Sequence, residues 1–157
     1  MKQTFNFLLM LVMVASVLSC KKSEPTPAPT PAQKIVGKYK ITAATSTTNG
    51  VVKDDLASRP ACAADDIREF TTDGKFIRSE GATSCTPPSS TVTASYALSA
   101  DGKTLTLTGT SSSGVTETEI YTVVELTDSI LKITFTRTEI NAGVTTTATF
   151  NTTLTKV

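Results

Sequence analysis

The 157-residue chain has no histidine and no tryptophan, and only three tyrosines and six phenylalanines. Without histidine there is no Ser-His or Cys-His nucleophilic pair, and the commonest metal ligand is missing too. No Gly-x-Ser-x-Gly elbow surrounds any serine, so the usual hydrolase turn is absent. Nor is there an excess of one charge, since 15 Lys+Arg stand against 14 Asp+Glu. That balance gives no basic surface to displace counterions from phosphates, and nucleic acid is not expected as a partner. No apolar run reaches the ~20 residues of a membrane-spanning helix. No long stretch repeats its apolar residues every 3.6 positions, which leaves helices a minor part. An enzyme is therefore not expected, nor a metal or other cofactor. What abounds is threonine, with 31 residues. β-Branched polar side chains in that number suit the solvent face of strands.

The N-terminus reads as an address. Lys2 gives a positive start, and residues 5–18 are apolar apart from Asn6 and Ser16. That is the length of a signal-peptide core. Val17-Leu18-Ser19-Cys20 resembles the lipobox of bacterial lipoproteins, with Val17 where leucine is usual. The resemblance implies cleavage before Cys20 and acylation of that residue. Each buried acyl methylene contributes roughly 0.8 kcal/mol, and stable anchoring takes more than one chain. Lys21, Lys22 and Glu24 follow, loosely similar to signals that route lipoproteins to the cell surface. Pro25, Pro27, Pro29 and Pro31 then alternate with small residues, a composition that favours an extended tether. The organisation expected is a signal peptide over 1–19, acylated Cys20 with a linker over 20–33, and one domain over 34–157. The location expected is the envelope of a Gram-negative bacterium, lipid-anchored at the outer membrane, on its periplasmic or outward face.

From residue 34 onward, short alternating runs are separated by turn residues. Eight strands are expected, at 37–45, 66–72, 75–79, 91–98, 104–110, 115–126, 130–139 and 144–155. Alternation is clearest late, where Leu131, Ile133 and Phe135 interleave with Lys132, Thr134 and Thr136. Period two with polar residues opposite describes strands wet on one side and packed on the other. The connectors Asp73-Gly74, Asp101-Gly102, Ser113-Gly114, Thr127-Asp128 and Asn141-Ala142-Gly143 are short. Most suit tight hairpins between antiparallel neighbours. So long a meander must hide two edges, and closing into an up-and-down barrel removes both. Residues 47–64 form the longest irregular stretch, with room for a short helix or a lid-like loop.

These words occur in a recognisable order: Gly37-Lys38-Tyr39, Asp65-Asp66-Ile67, Asp73-Gly74-Lys75-Phe76, Tyr96-Ala97-Leu98, Asp101-Gly102-Lys103-Thr104-Leu105 and Val124-Glu125-Leu126-Thr127. The order is similar to that of the lipocalin-like domains of small bacterial lipoproteins. The resemblance implies an all-β, eight-stranded antiparallel barrel. Gly37-Lys38-Tyr39 stands where lipocalins have Gly-x-Trp, with Tyr39 in place of the tryptophan that plugs the closed end. The arginine that packs over that tryptophan has no clear counterpart.

With Cys20 assigned to lipidation, Cys62 and Cys85 remain, an even pair in an exported protein and so an expected disulfide. The rival readings, a metal site or a redox pair, are poorly served by two thiols 23 positions apart without histidine. Asp54-Asp55 and Asp65-Asp66 are adjacent acids, which on a strand point to opposite faces. Arg68 shares parity with Phe70 and Arg78 with Phe76, so either can project into a barrel mouth and meet an anionic head group. The competing reading has both arginines facing water. Tyr96 shares parity with Leu98 and points inward, as a core tyrosine or a ligand contact. Asp128-Ser129-Ile130 resembles an O-glycosylation motif of exported proteins, which makes Ser129 a candidate, though a plain turn fits equally.

Two functions remain. The first is a monomeric, lipid-anchored binding module whose barrel holds one small apolar or amphipathic ligand. The second is an envelope lipoprotein that binds protein or glycan through its surface, without an internal ligand.

Overall fold

A computed structural model describes residues 27–88, 91–110, 114–141 and 143–157. The signal segment, Cys20 and Lys21, Lys22 and Glu24 lie outside the described residues. Two short helices and nine strands follow in order: α1 (Pro31–Ile35), β1 (Gly37–Thr48), β2 (Val51–Asp54), α2 (Ala61–Ala64), β3 (Ile67–Phe70), β4 (Lys75–Ser79), β5 (Val92–Leu98), β6 (Thr104–Thr110), β7 (Thr116–Leu126), β8 (Ile130–Asn141) and β9 (Val144–Lys156). Strands β1 and β3 to β9 pair antiparallel in chain order, and β9 returns to β1 from Tyr39–Lys156 to Thr48–Ala148. The protein is a closed eight-stranded antiparallel β-barrel, as the meander requires. Bulges between Ile41 and Ala43 on β1 and between Val123 and Glu125 on β7 add the local twist that helps a sheet coil.

The irregular stretch contains a strand that the alternation did not reveal. β1 runs on to Thr48, turns at Asn49-Gly50, and pairs back with β2 from Thr48–Val51 to Thr45–Asp54. Asn49 and Gly50 both have positive φ, 50° and 78°, as a two-residue primed turn demands. All four β2 residues are exposed, so no buried face marks them as a strand. β1 thus has one edge on β9, while its other edge is shared by β3 at the start and β2 at the end. Of the two alternatives for this stretch, a short helix is present as α2 (Ala61–Ala64).

The core occupies one half of the barrel. Ile35, Tyr39, Phe70, Leu105, Leu131 and Leu154 are almost fully buried there. α1 seals this end, and it takes residues 31–33 out of the expected linker. Thr30 accepts a hydrogen bond from the Gln33 amide and Gln33 reaches back to the Thr30 amide, with Pro31 in the first turn. Buried Tyr39 donates its hydroxyl towards the carbonyls of Ile35 and Lys34 at 3.0 and 3.2 Å. Its ring meets Phe70 edge-on at 5.8 Å. A cation does pack over this plug. It is Lys156, whose Nζ lies 5.5 Å from the Tyr39 ring centre and donates to the Lys34 carbonyl at 2.8 Å. Gly37 makes the passage, since a Cβ there would stand 2.7 Å from Lys156 Cε, and its φ is +143°.

On the outer face, threonines pair across strands: Thr108 with Thr118, Thr110 with Thr116, Thr136 with Thr149, and Thr138 with Thr147. Lys132 faces outward too, against Glu125 at 2.6 Å. Part of the threonine excess thus serves as cross-strand hydroxyl pairs.

Candidate functional site

The half of the barrel away from α1 is hollow. A cavity of about 470 Å³ is lined by β3, β4, β5, β6 and β7. Its space comes from two small inward residues set opposite each other, Ala94 and Gly109. Phe76, Val92 and Leu107 supply apolar wall, while Arg68, Arg78, Glu117, Glu119 and Tyr121 supply polar groups. Such a volume falls within the roughly 300–1,000 Å³ of small-molecule sites.

Arg68 and Arg78 come together because β3 and β4 pair Phe70 with Phe76 and, two residues on, Arg68 with Arg78. Period-two geometry then places both guanidinium groups on the inner face. Arg68 is 8% exposed, and its Nη1 donates to the main-chain carbonyl of Asp66 at 3.2 Å. Burial, with Arg59 next and Arg78 adding to it against Asp66 and Tyr121, lowers its pKa to about 10. Among the described residues neither Arg68 nor Arg78 forms an ion pair. Asp66 is itself buried, and its Oδ1 has no hydrogen-bond partner.

The facing wall is acidic. Tyr121 donates its hydroxyl to Glu119 Oε2 at 2.5 Å. Burial first, then that bond, drives the tyrosine pKa upward. Parity with the buried Val123 was the available signal for Glu117, Glu119 and Tyr121, which sequence reasoning missed. On the other side of Tyr121 lies a second space of about 210 Å³, lined by Ile133, Phe135, Arg137, Phe150 and Thr152. The ladder between β7 and β8 runs from Leu126–Leu131 only to Thr122–Thr134. Beyond it, β7 pairs with β6 and β8 with β9. Arg137 turns to Glu139 at 2.9 Å.

Tyr96 does not line the main cavity. Its hydroxyl donates to the Thr71 carbonyl at 2.8 Å, and its ring stands edge-on to Phe70 at 5.1 Å. Ser129 is exposed in the turn between β7 and β8, where its carbonyl accepts from the Lys156 amide at 2.8 Å. Cys62 and Cys85 are joined in a disulfide with Cα atoms 5.2 Å apart. It ties α2, just before β3, to the segment after β4. The two strands that carry the arginine pair are therefore bracketed by one covalent link. Close by, Gly81 passes the Asp65 backbone so tightly that a Cβ would lie 2.1 Å from the Asp65 carbonyl oxygen. No group of three or more potential metal ligands is found among the described residues.

No protein-family model matches the sequence, and none of the curated proteins matches it either.

Proposed function

We propose that the chain is a lipid-anchored lipoprotein of the Gram-negative envelope whose lipocalin-like barrel takes up one small amphipathic molecule. The observation that carries this reading is the cavity of about 470 Å³, apolar in part and polar in part, at the end opposite the α1 plug. A barrel serving as scaffold alone gains stability by filling that space, because interiors pack to the density of organic crystals. Here Ala94 and Gly109 hold it open. The alternative, an envelope protein recognising protein or glycan by its surface, draws on the threonine face. Many of those hydroxyls bond to one another.

Uptake of N-phenyl-1-naphthylamine, a neutral fluorescent probe, tests the binding reading. One probe per chain is expected, with uptake lost in Gly109→Leu, whose side chain would occupy the cavity. A wild-type barrel that excludes the probe refutes it. The anchor is tested separately. Cys20→Ser should abolish incorporation of labelled palmitate, and a wild-type chain that takes up no label ends the lipoprotein reading.

A further inference from the structure

We infer that the cavity selects an amphipathic acid, its anionic group (carboxylate, sulfate or phosphate ester) held by Arg68 and Arg78 and its apolar body laid along Phe76, Ala94 and Leu107. The inference rests on the reading of the cavity as a ligand site and names the class of its ligand.

Arg68 and Arg78 are direct cross-strand partners, and like charges directly opposite on one face destabilise a sheet. Burying one of them adds a desolvation cost that a carboxylate within reach would normally offset. No carboxylate among the described residues lies within 4.0 Å of either guanidinium group. Asp66 presents its carbonyl to Arg68 rather than its side chain. Glu119 is engaged by Tyr121. Glu117 lines the cavity from β7, and Asp65 accepts from the Thr83 amide. Neither reaches either arginine within 4.0 Å. Arg59 also contributes positive potential at Arg68. The result is a pair of cations without an ion-pair partner among the described residues, facing space that is closed below by apolar side chains. The oxygens of a carboxylate, sulfate or phosphate group reaching that pair can accept charge-assisted hydrogen bonds from two guanidinium forks. Glu117 and Glu119 on the far wall repel the same anion, so they fix which way the ligand lies.

The experiment uses the mature chain, residues 20–157 with Cys20→Ser, so that neither signal segment nor acyl chain calls for detergent, and compares dodecanoate, dodecan-1-ol and inorganic phosphate by titration calorimetry. Dodecanoate is expected to bind more than about tenfold tighter than the alcohol, and phosphate alone far more weakly than either. Arg78→Met, which keeps an apolar stem at a half-buried position, should remove most of the acid's advantage and leave the alcohol unchanged. Arg68→Met should do the same, and Arg78→Met keeps the test alive if the buried substitution does not fold. Glu119→Gln should strengthen acid binding by a few fold. Equal binding of acid and alcohol, or equal losses of both in Arg78→Met, overturns the assignment of the acid while the cavity reading stands. Phosphate binding as tightly as dodecanoate overturns the need for an apolar body. Failure of every apolar compound to bind takes down the cavity reading together with this one.

Discussion

Replacing Cys62 and Cys85 together with serine should weaken both the fold and the site, by separable amounts. The bridge spans 23 positions. In the chain-entropy argument, a loop of that length removes enough freedom from the unfolded chain to stabilise by about 3.4 kcal/mol. For a barrel of this size that corresponds to a fall in Tm of about 13 °C, taking the usual unfolding entropy per residue. The loop it closes contains all of β3 and β4, hence both arginines. The Thr83 amide bonded to Asp65 spans the same corner, but the helix that carries Cys62 is itself weakly held. α2 is only four residues long with none of them buried, and its capping residue Pro60 offers no side-chain hydrogen bond. Loosening should therefore concentrate between residues 61 and 85. Thermal unfolding followed by circular dichroism measures the global term, and amide hydrogen exchange measures the local one. A shift under about 3 °C, or protection lost evenly around the barrel, would refute the claim that this bridge organises the β3–β4 corner. An intact bridge also predicts no free thiol at Cys62 or Cys85 when the unreduced protein is unfolded in the presence of a thiol reagent.

Other consequences are equally direct. Tyr39→Phe removes the hydroxyl from two carbonyls at the sealed end, and should cost about 1–2 kcal/mol in a denaturant titration, without altering probe uptake. Gly81→Ala forces the backbone away from the Asp65 carbonyl, and should cost about 1–3 kcal/mol. All three tyrosines are held above their ordinary range. Burial is the leading cause in each, Tyr39 reaching about 12. A group whose folded pKa is raised stabilises the fold fully below its unfolded value near 10, and that contribution drains away as pH rises towards the folded value. Absorbance at 295 nm should therefore show the tyrosines of the native protein ionising above the range of the unfolded chain, with a rise that coincides with unfolding. A simple titration centred near 10 would contradict the burial of these rings. Asp73 titrates in the opposite sense. Its hydrogen bonds from Lys75 and Thr71 bring its pKa down to about 2, so the turn should keep its chemical shifts until the pH falls below about 4.

How much of this was readable beforehand follows from which physical signal each feature carries. Strands β6, β8 and β9 were legible because their apolar residues alternate and one face is buried, as at Leu131 and Ile133. β2 was not, since Val51 and Val52 are exposed and no burial enforces a pattern on four edge residues. Its turn, Asn49-Gly50, was the better clue. Parity alone put Arg68 with Phe70 and Arg78 with Phe76. Their meeting also needs the β3–β4 register, which Asp73-Gly74 sets and which pairs Phe70 with Phe76.

The far wall shows where such reading stops. Glu117, Glu119 and Tyr121 have the parity of Val123, yet three polar residues in a row of inward positions look like a solvated face until something shows that the face is inside. That information lies in the ladder. β6 pairs Gly109 with Glu117 and Leu107 with Glu119, and β5 pairs Ala94 with Gly109. The inward row across three strands is therefore small, small and acidic; past Ala94 it continues to Phe76 and Phe70, and the row beside it carries Val92, Arg78 and Arg68. A cavity is a property of such rows around the barrel rather than of any strand, and alternation along the chain carries no record of them. The sealed half is written along the strands, in residues that each must be apolar to be buried. The open half is written across them, and its chemistry emerges only when the barrel closes.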